Sequence, residues 1–364
     1  MVNLGGGTID SRRTASYVKG AAILLIVIDH YALHYFSRFA TRYDLAWLGY
    51  GLASIFFVIS GNGIMHSLQR RLSESRLTPR LAARFYLDRA LRIYPLYFLA
   101  LLVTPHYNTD MLMLGHLDYR SLNIYLASPF VSGPNFFWFV HCLVQCYLLA
   151  PFLFLLFKRL GIRLFLWINL ALIMMSSVTT FIFFAVAPQA GAARLLNAFV
   201  IQPNLAAGLF CGNIFLFALG MLIPSLLAEQ RDRFNSRPAL VLAVAGLTAI
   251  TLTMRFGHFE VRSLLSPLLL FSLMLVCLFA LGTRPRLPFP RLVSTVGDHS
   301  LPVYLLHIAF FVALGQAGIV HDGSFLSAGI ALILLPAFLL YCIYVEKGLE
   351  LLRRGFARQV VTQT

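Results

Sequence analysis

A polytopic bundle of transmembrane helices, all-α and with about ten spans, is the architecture to which this sequence points. Three observations carry that expectation. The 364-residue chain is 59% hydrophobic and only 12% charged, with a mean hydropathy of +0.79, whereas a soluble domain carries about a quarter charged residues. Apolar runs of about 17 to 25 residues, the length that crosses a bilayer core, recur along nearly the whole chain. With a cytoplasmic N-terminus, 23 of the 29 Lys and Arg fall on the cytoplasmic side, which is the positive-inside bias. The net charge of +15 is therefore topological and needs no nucleic acid to explain it. The expected location is the inner cell membrane, multi-pass, with both termini cytoplasmic.

Spans are expected at 16–36, 47–68, 86–104, 135–157, 164–187, 205–228, 238–255, 262–282, 300–317 and 325–345. Residues 1–15 form a short cytoplasmic segment, 16–345 one membrane domain, and 346–364 a basic tail read as an interfacial helix giving way to a disordered end. No small-residue cleavage site follows the first run, so that run is expected to stay as a span. The outer segment 105–134 is long enough to cap a site and too short to be a domain. Cys142, Cys146, Cys211, Cys277 and Cys342 lie in apolar runs without a CxxC pattern. They are expected to be small buried side chains rather than disulfide or zinc ligands.

Span one reads AAILLIVIDHYALHYF over 21–36, with Asp29 and His30 near its middle. An ionisable residue there costs a few kcal/mol, about 2.5–3.5 on insertion scales, so a functional role is the first hypothesis. Lys19 and His30 are eleven residues apart, close to three helical turns, so they share a face and stand roughly 16 Å apart along the axis. Lys19 then lies at the cytoplasmic mouth and His30 about half-way across. Asp29, on an adjacent face, is expected to meet a partner on another helix. His30 reads equally well as a buried hydrogen-bonding residue joining helices or as a general base. A metal site from His30, His34, His141 and His307 is a weaker third reading. The i,i+4 pair is ligand-like, but no carboxylate or thiolate motif accompanies it.

Span two, SIFFVISGNGIMHSL, places Ser60, Gly61, Asn62 and Gly63 in mid-membrane, where small residues permit close helix packing. At the start of span three, seven arginines fall between Arg70 and Arg92, more than orientation requires. Arg89 and Arg92 share a face. Guanidinium forks suit a phosphate-rich ligand or anionic headgroups, and Asp88, four residues from both Arg84 and Arg92, offers helix-surface ion pairs as a blander account. Span nine opens GDHSLPVYLLHIAFF. Asp298 and Ser300 are expected to cap it, Pro302 fits its first turn, and Tyr304 and His307 lie three apart on one face. His307 reads equally as a substrate-bonding or a packing residue.

In this order, these pieces resemble the acyltransferase 3 family of integral membrane acyltransferases. The resemblance rests on Lys19 to His30 in span one, FFVISG in span two, and the RxxR of RALRIYP. It continues through WFVHCLVQCYLLAP, GDHSLPVYLLH and the closing VEKGLELLRR. It implies transfer of an acyl group, usually acetyl, from cytoplasmic acyl-CoA to a hydroxyl of an extracytoplasmic or lipid-linked glycan. The donor is then a substrate, with no tightly bound cofactor and no metal. It further implies that Lys19, Arg89 and Arg92 receive the phosphoadenosine end of acyl-CoA, with the pantetheine arm running up to His30. His30 would act as general base or transient acyl carrier, and Tyr304 and His307 would orient the acceptor or stabilise an oxyanion. The chain departs from the family's SVEEQFYLLWP pattern, having Leu143 and Val144 where two glutamates would stand, while Gln145, Tyr147 and Pro151 remain. Transfer is expected to be completed inside the membrane domain.

A secondary transporter, or a flippase of a lipid-linked saccharide, is the alternative. Ten spans suit one, but only Asp29 supplies a deep intramembrane carboxylate, and paired broken helices from two inverted halves are not evident. Dependence on acyl-CoA separates the two readings. Oligomeric state leaves no mark in the sequence.

Overall fold

The computed structural model of the protein describes residues 8–42, 45–71, 78–103, 138–186, 214–225, 290–319 and 321–362. Expected spans seven and eight and the outer segment 105–134 lie outside these residues. Among the described residues the regular structure is all helical, with no strand. The helices are α1 (Thr8–Tyr35), α2 (Ser37–Arg42), α3 (Leu45–Arg71), α4 (Pro79–Val103), α5 (Trp138–Val186), α6 (Ile214–Ser225), α7 (Pro290–Asp298), α8 (Ser300–Gln316) and α9 (Phe325–Thr362). Two stretches, Ala15–Tyr35 of α1 and Phe325–Arg353 of α9, are long and apolar enough to cross a membrane. The pair α7 and α8, bent by 82°, makes a third if it is one broken span. The protein is an integral membrane protein built from helices.

Boundaries follow local chemistry. α5 covers expected spans four and five and breaks at Gly161, where φ is 76° and ψ 169°. That backbone region is almost closed to residues with a Cβ, and the glycine sits among the cations Lys158, Arg159 and Arg163. Span nine begins where expected, but Asp298 and Ser300 do not cap it. The cap position is His299, with no side-chain cap hydrogen bond, its Nδ1 lying 2.8 Å from Glu346 Oε2, while the Asp298 carboxylate accepts from Ser16 Oγ at 2.5 Å. Expected span ten and the helix expected in the tail form one continuous helix, as α9 runs on through Glu346 and Lys347 to Thr362.

The described helices fall into two compact units. One contains α3 from Tyr50, α5 and α6. Its aromatic rings interlock, Phe57 and Phe139 at 4.7 Å and Tyr147 and Phe217 at 6.0 Å between centroids. The small-residue motif of span two is only half used for close approach. A Cβ on Gly61 would collide with the Phe217 carbonyl, and one on Gly220 with that of Val58, whereas Gly63 faces open space. Cys142 and Cys146 of this unit, and Cys342 of the other, are buried thiols outside any disulfide, as apolar packing of small side chains requires.

The other unit contains α1 from Ser16, α2, α4 and α7 to α9. α8 is apolar on all sides and buried from Pro302 to Ile308, as a central helix must be. It packs against α4 and α9, with Phe310 stacked on Phe338 at 4.7 Å. α1 is joined to the C-terminal helices at both ends. Near its start, Gly20 and Gly297 let the backbones of α1 and α7 touch, and a Cβ on either would overlap the opposing carbonyl. Near its end, the Gly323 N–H donates to the Tyr35 carbonyl (2.8 Å) and Tyr31 OH to that of Ala328 (2.9 Å). Beyond the end of α1, Ser37 donates through its backbone N–H and its hydroxyl to the Asp322 carboxylate.

Candidate functional site

Lys19, His30, Arg89, Arg92, Tyr304 and His307 all belong to this second unit. α1 presents His30 through its apolar period. Ile23, Ile26 and Val27 are buried while Leu25 and Ile28 are exposed, and His30 and His34 continue the buried face at spacings of three and four. No Gly or Pro interrupts the chain between Gly20 and Tyr35. Lys19 and His30 are thus carried on one unbroken helix, Lys19 half-buried beside the crossing with α7.

The His30 and His307 rings lie 4.8 Å apart between centroids, inclined at 58°. One turn further on, His34 stacks on Phe311 at 5.0 Å and 20°. His30 and His34 are four apart on α1, and His307 and Phe311 are four apart on α8. The two contacts therefore repeat with the helical pitch and hold the helices in register.

Backbone carbonyls set the proton positions on two of these rings. A carbonyl can only accept, so the 2.8 Å contact of His34 Nδ1 with the His30 carbonyl makes Nδ1 an N–H. By the same logic His307 Nδ1–H donates to the Tyr304 carbonyl at 2.6 Å. In the neutral ring His307 Nε2 then carries a lone pair. That atom is buried with no hydrogen-bond partner among the described residues, on a side chain only 2% exposed. Neutral His307 can accept a proton or a hydrogen bond at Nε2, and only the protonated ring could donate there to an oxyanion. The Tyr304 ring lies 5.7 Å from that of His307 and is itself 7% exposed.

The two arginines diverge. Arg89 is half-buried with its guanidinium over the Phe85 ring, 5.6 Å from the centroid, while Arg92 is exposed. Asp29 is 4% exposed, and its Oδ1 has no hydrogen-bond partner among the described residues. Among the described residues no three His, Cys, Asp or Glu side chains gather in a metal-holding group, and the His141 side chain lies outside the described set.

Sequence reasoning missed two polar contacts at the α7–α8 bend. One is Ser16 with Asp298. The other is His299, whose Nδ1 lies 2.8 Å from Glu346 Oε2 of α9 with both side chains less than a fifth exposed. Their partners are 282 and 47 residues apart in the chain, and no periodic pattern links positions so distant. The one available hint was the polar cluster GDHS beside an apolar run.

The site thus sets the buried His307 imidazole of α8, with one bare nitrogen, against the half-buried His30 ring of α1, the helix that carries Lys19 three turns away. Such an arrangement can take a proton and give it back where water is scarce. A family model described as an acyltransferase domain matches residues 14–346, nearly the whole chain. No curated protein and no solved structure matches it.

Proposed function

The chain belongs to the acyltransferase 3 family, and from that premise we propose that it O-acylates a cell-surface or lipid-linked glycan, with cytoplasmic acyl-CoA as donor and His30 as general base. Membrane acyl transfer follows from the family; donor, acceptor and base are the finer reading, with acetyl the expected acyl group. The observation that carries it is the pairing of His307 of α8 with His30, which stands on an unbroken stretch of α1 three turns from Lys19.

His30 takes the proton of the acceptor hydroxyl as its oxygen attacks the thioester carbonyl. The new C–O bond forms, the C–S bond breaks, and the CoA thiolate leaves with the proton returned by His30. The proton count closes on one imidazole, so no external base is required. Lys19 and Arg89 give the donor's phosphates a cationic resting place at the inner face, and Arg92, exposed on the same helix, adds to it. Roughly 16 Å between Lys19 and His30 is a span a pantetheine arm can cover. Tyr304, beside His307, is the candidate to orient the acceptor. In this reading the protein is a multi-pass inner-membrane enzyme of about ten spans with cytoplasmic termini, and its partners are the donor, the glycan acceptor and the bilayer.

The test follows label from [acetyl]-CoA into glycan in membranes holding the native protein or His30→Ala at equal abundance. Incorporation by the native protein that falls by about 10²–10⁴-fold in the variant supports the reading. Equal labelling by both removes His30 from the mechanism. Absence of transfer from any acyl-CoA, with a lipid-linked saccharide crossing the membrane instead, replaces the enzyme by a carrier.

A further inference from the structure

The end of α1 opposite Lys19 carries a second cluster, which the acyl-transfer step does not use. Ser37 donates its backbone N–H to one oxygen of the exposed Asp322 carboxylate and its hydroxyl to the other. An ionised carboxylate offers about four acceptor sites, two on each oxygen, so these bonds orient the group without exhausting it. The Arg38 cation close by favours its ionised form. Three residues on, Phe325 is 83% exposed. Its ring packs against that of Phe36, the neighbour of Ser37, at 5.8 Å and 53°. Phe36 in turn packs on Tyr31 at 6.2 Å, and Tyr31 is tied through its hydroxyl to the Ala328 carbonyl. Phe36 stands six residues beyond His30, roughly 9 Å along the helix axis.

We propose that Asp322 and Phe325, backed by Phe36, form a subsite for a sugar unit of the glycan acceptor other than the unit that is acylated. A pyranose ring matches both halves of the cluster. Its C–H face stacks on an aromatic ring, and hydroxyls at its edge donate to a carboxylate, where a charged acceptor strengthens each bond. Lipid contact alone would ask for no oriented carboxylate, and interfacial aromatic belts favour Trp and Tyr over Phe. The distance from His30 is longer than one pyranose ring, so one sugar cannot meet His30 and Phe325 together. The acceptor class is therefore an oligosaccharide or polysaccharide, not a single sugar. This inference rests on the acyl-transfer reading for its place in the reaction, but not for sugar binding itself.

The full-length protein in lipid nanodiscs is compared with Phe325→Trp, Phe325→Leu and Asp322→Asn. Tryptophan keeps an aromatic face, leucine keeps apolar area without one, and asparagine keeps the size of the side chain without its charge. Two measurements are made. Saturation-transfer NMR reads binding of the methyl glycosides of glucose, galactose and mannose. Acetyl transfer from [acetyl]-CoA to glycan extracted from the native cells is followed with donor and glycan varied in turn. The native protein and Phe325→Trp should saturate the ring C–H protons of at least one glycoside, and Phe325→Leu and Asp322→Asn several-fold less. In the latter two, KM for the glycan should rise roughly tenfold, with kcat and KM for acetyl-CoA steady. Native-like behaviour of Phe325→Leu would make the residue a lipid anchor and overturn the proposal. A loss in Phe325→Trp as deep as in Phe325→Leu, or no glycoside saturated by the native protein, overturns it as well. If binding follows the expected order while the native protein transfers no acyl group, the subsite stands and the acyl-transfer reading fails. Normal transfer with an unchanged glycan KM in Phe325→Leu does the reverse.

Discussion

Single positions in this protein are constrained for different physical reasons. In the proposed reaction Lys19 and Arg89 would meet a donor whose phosphates are the same in ground and transition states, so their contribution would be uniform binding. Lys19→Ala or Arg89→Ala should raise KM for acetyl-CoA by roughly tenfold or more, the worth of one charge-assisted contact of about 1.5–3 kcal/mol, with kcat little changed. Steady-state kinetics in vesicles, varying the donor, decides the point; a fall in kcat at constant KM would place those cations at the reacting centre instead. Gly297 is limited by space, because a Cβ there would meet the Ser16 carbonyl. Gly297→Ala should lower stability by about 1–3 kcal/mol, the ordinary cost of overpacking, seen as a lower thermal midpoint in detergent. His30 and His307 were legible as residues worth testing, since each interrupts an apolar run. Their pairing was not, because nothing local relates position 30 to position 307.

Among the helices, apolar period places cores better than it places boundaries and bends. It put α3 and α8 within a few residues, the ends of α1 and α4 within one, and the start of α9 in place, whereas α1 and α4 begin eight and seven residues before their expected spans. α9 runs past the expected end of span ten because the tail, Gly348 apart, is rich in the good helix formers Leu, Glu, Lys and Arg up to Arg354. The cap of α8 was misassigned for a different reason: Asp298 is a good capping residue, but Ser16 offered its carboxylate a partner from another helix. The break in α5 depends on Gly161, where open space surrounds the missing Cβ and only the backbone angle forbids a side chain. Gly161→Ala should therefore cost about 1–3 kcal/mol through strain alone. Truncating a neighbouring side chain would not relieve it, whereas such relief would show that space is the limit.

Across the molecule, α1 is tied to the C-terminal helices by polar contacts near both ends, with the histidine pair between. The tie beyond its Tyr35 end responds to pH. Hydrogen bonds from the Ser37 hydroxyl and backbone N–H hold the Asp322 carboxyl below its ordinary value, helped by the nearby Arg38. A group whose pKa is lowered by folding adds stability above its unfolded value and loses it as pH falls through the folded one. Acidification below about pH 4 should therefore loosen this tie, and Asp322→Asn should flatten the acid limb of a thermal-stability profile. An unchanged acid limb in that variant would assign the effect to other carboxylates. Because the carboxylate is exposed, the effect is small and salt-sensitive.

The contacts along α1 also bear on how the protein is made. Asp298, His307, Asp322, Gly323 and Ala328, which meet Ser16, His30, Ser37, Tyr35 and Tyr31, all come from the last part of the chain. α1 is thus completed by helices synthesised long after it, and until then it waits in the bilayer with its His30 ring and Tyr31 hydroxyl unmatched. A transcript cut before α7 should yield an α1 that inserts but is not retained. A pulse-chase in cells should show that fragment cleared faster than the full chain.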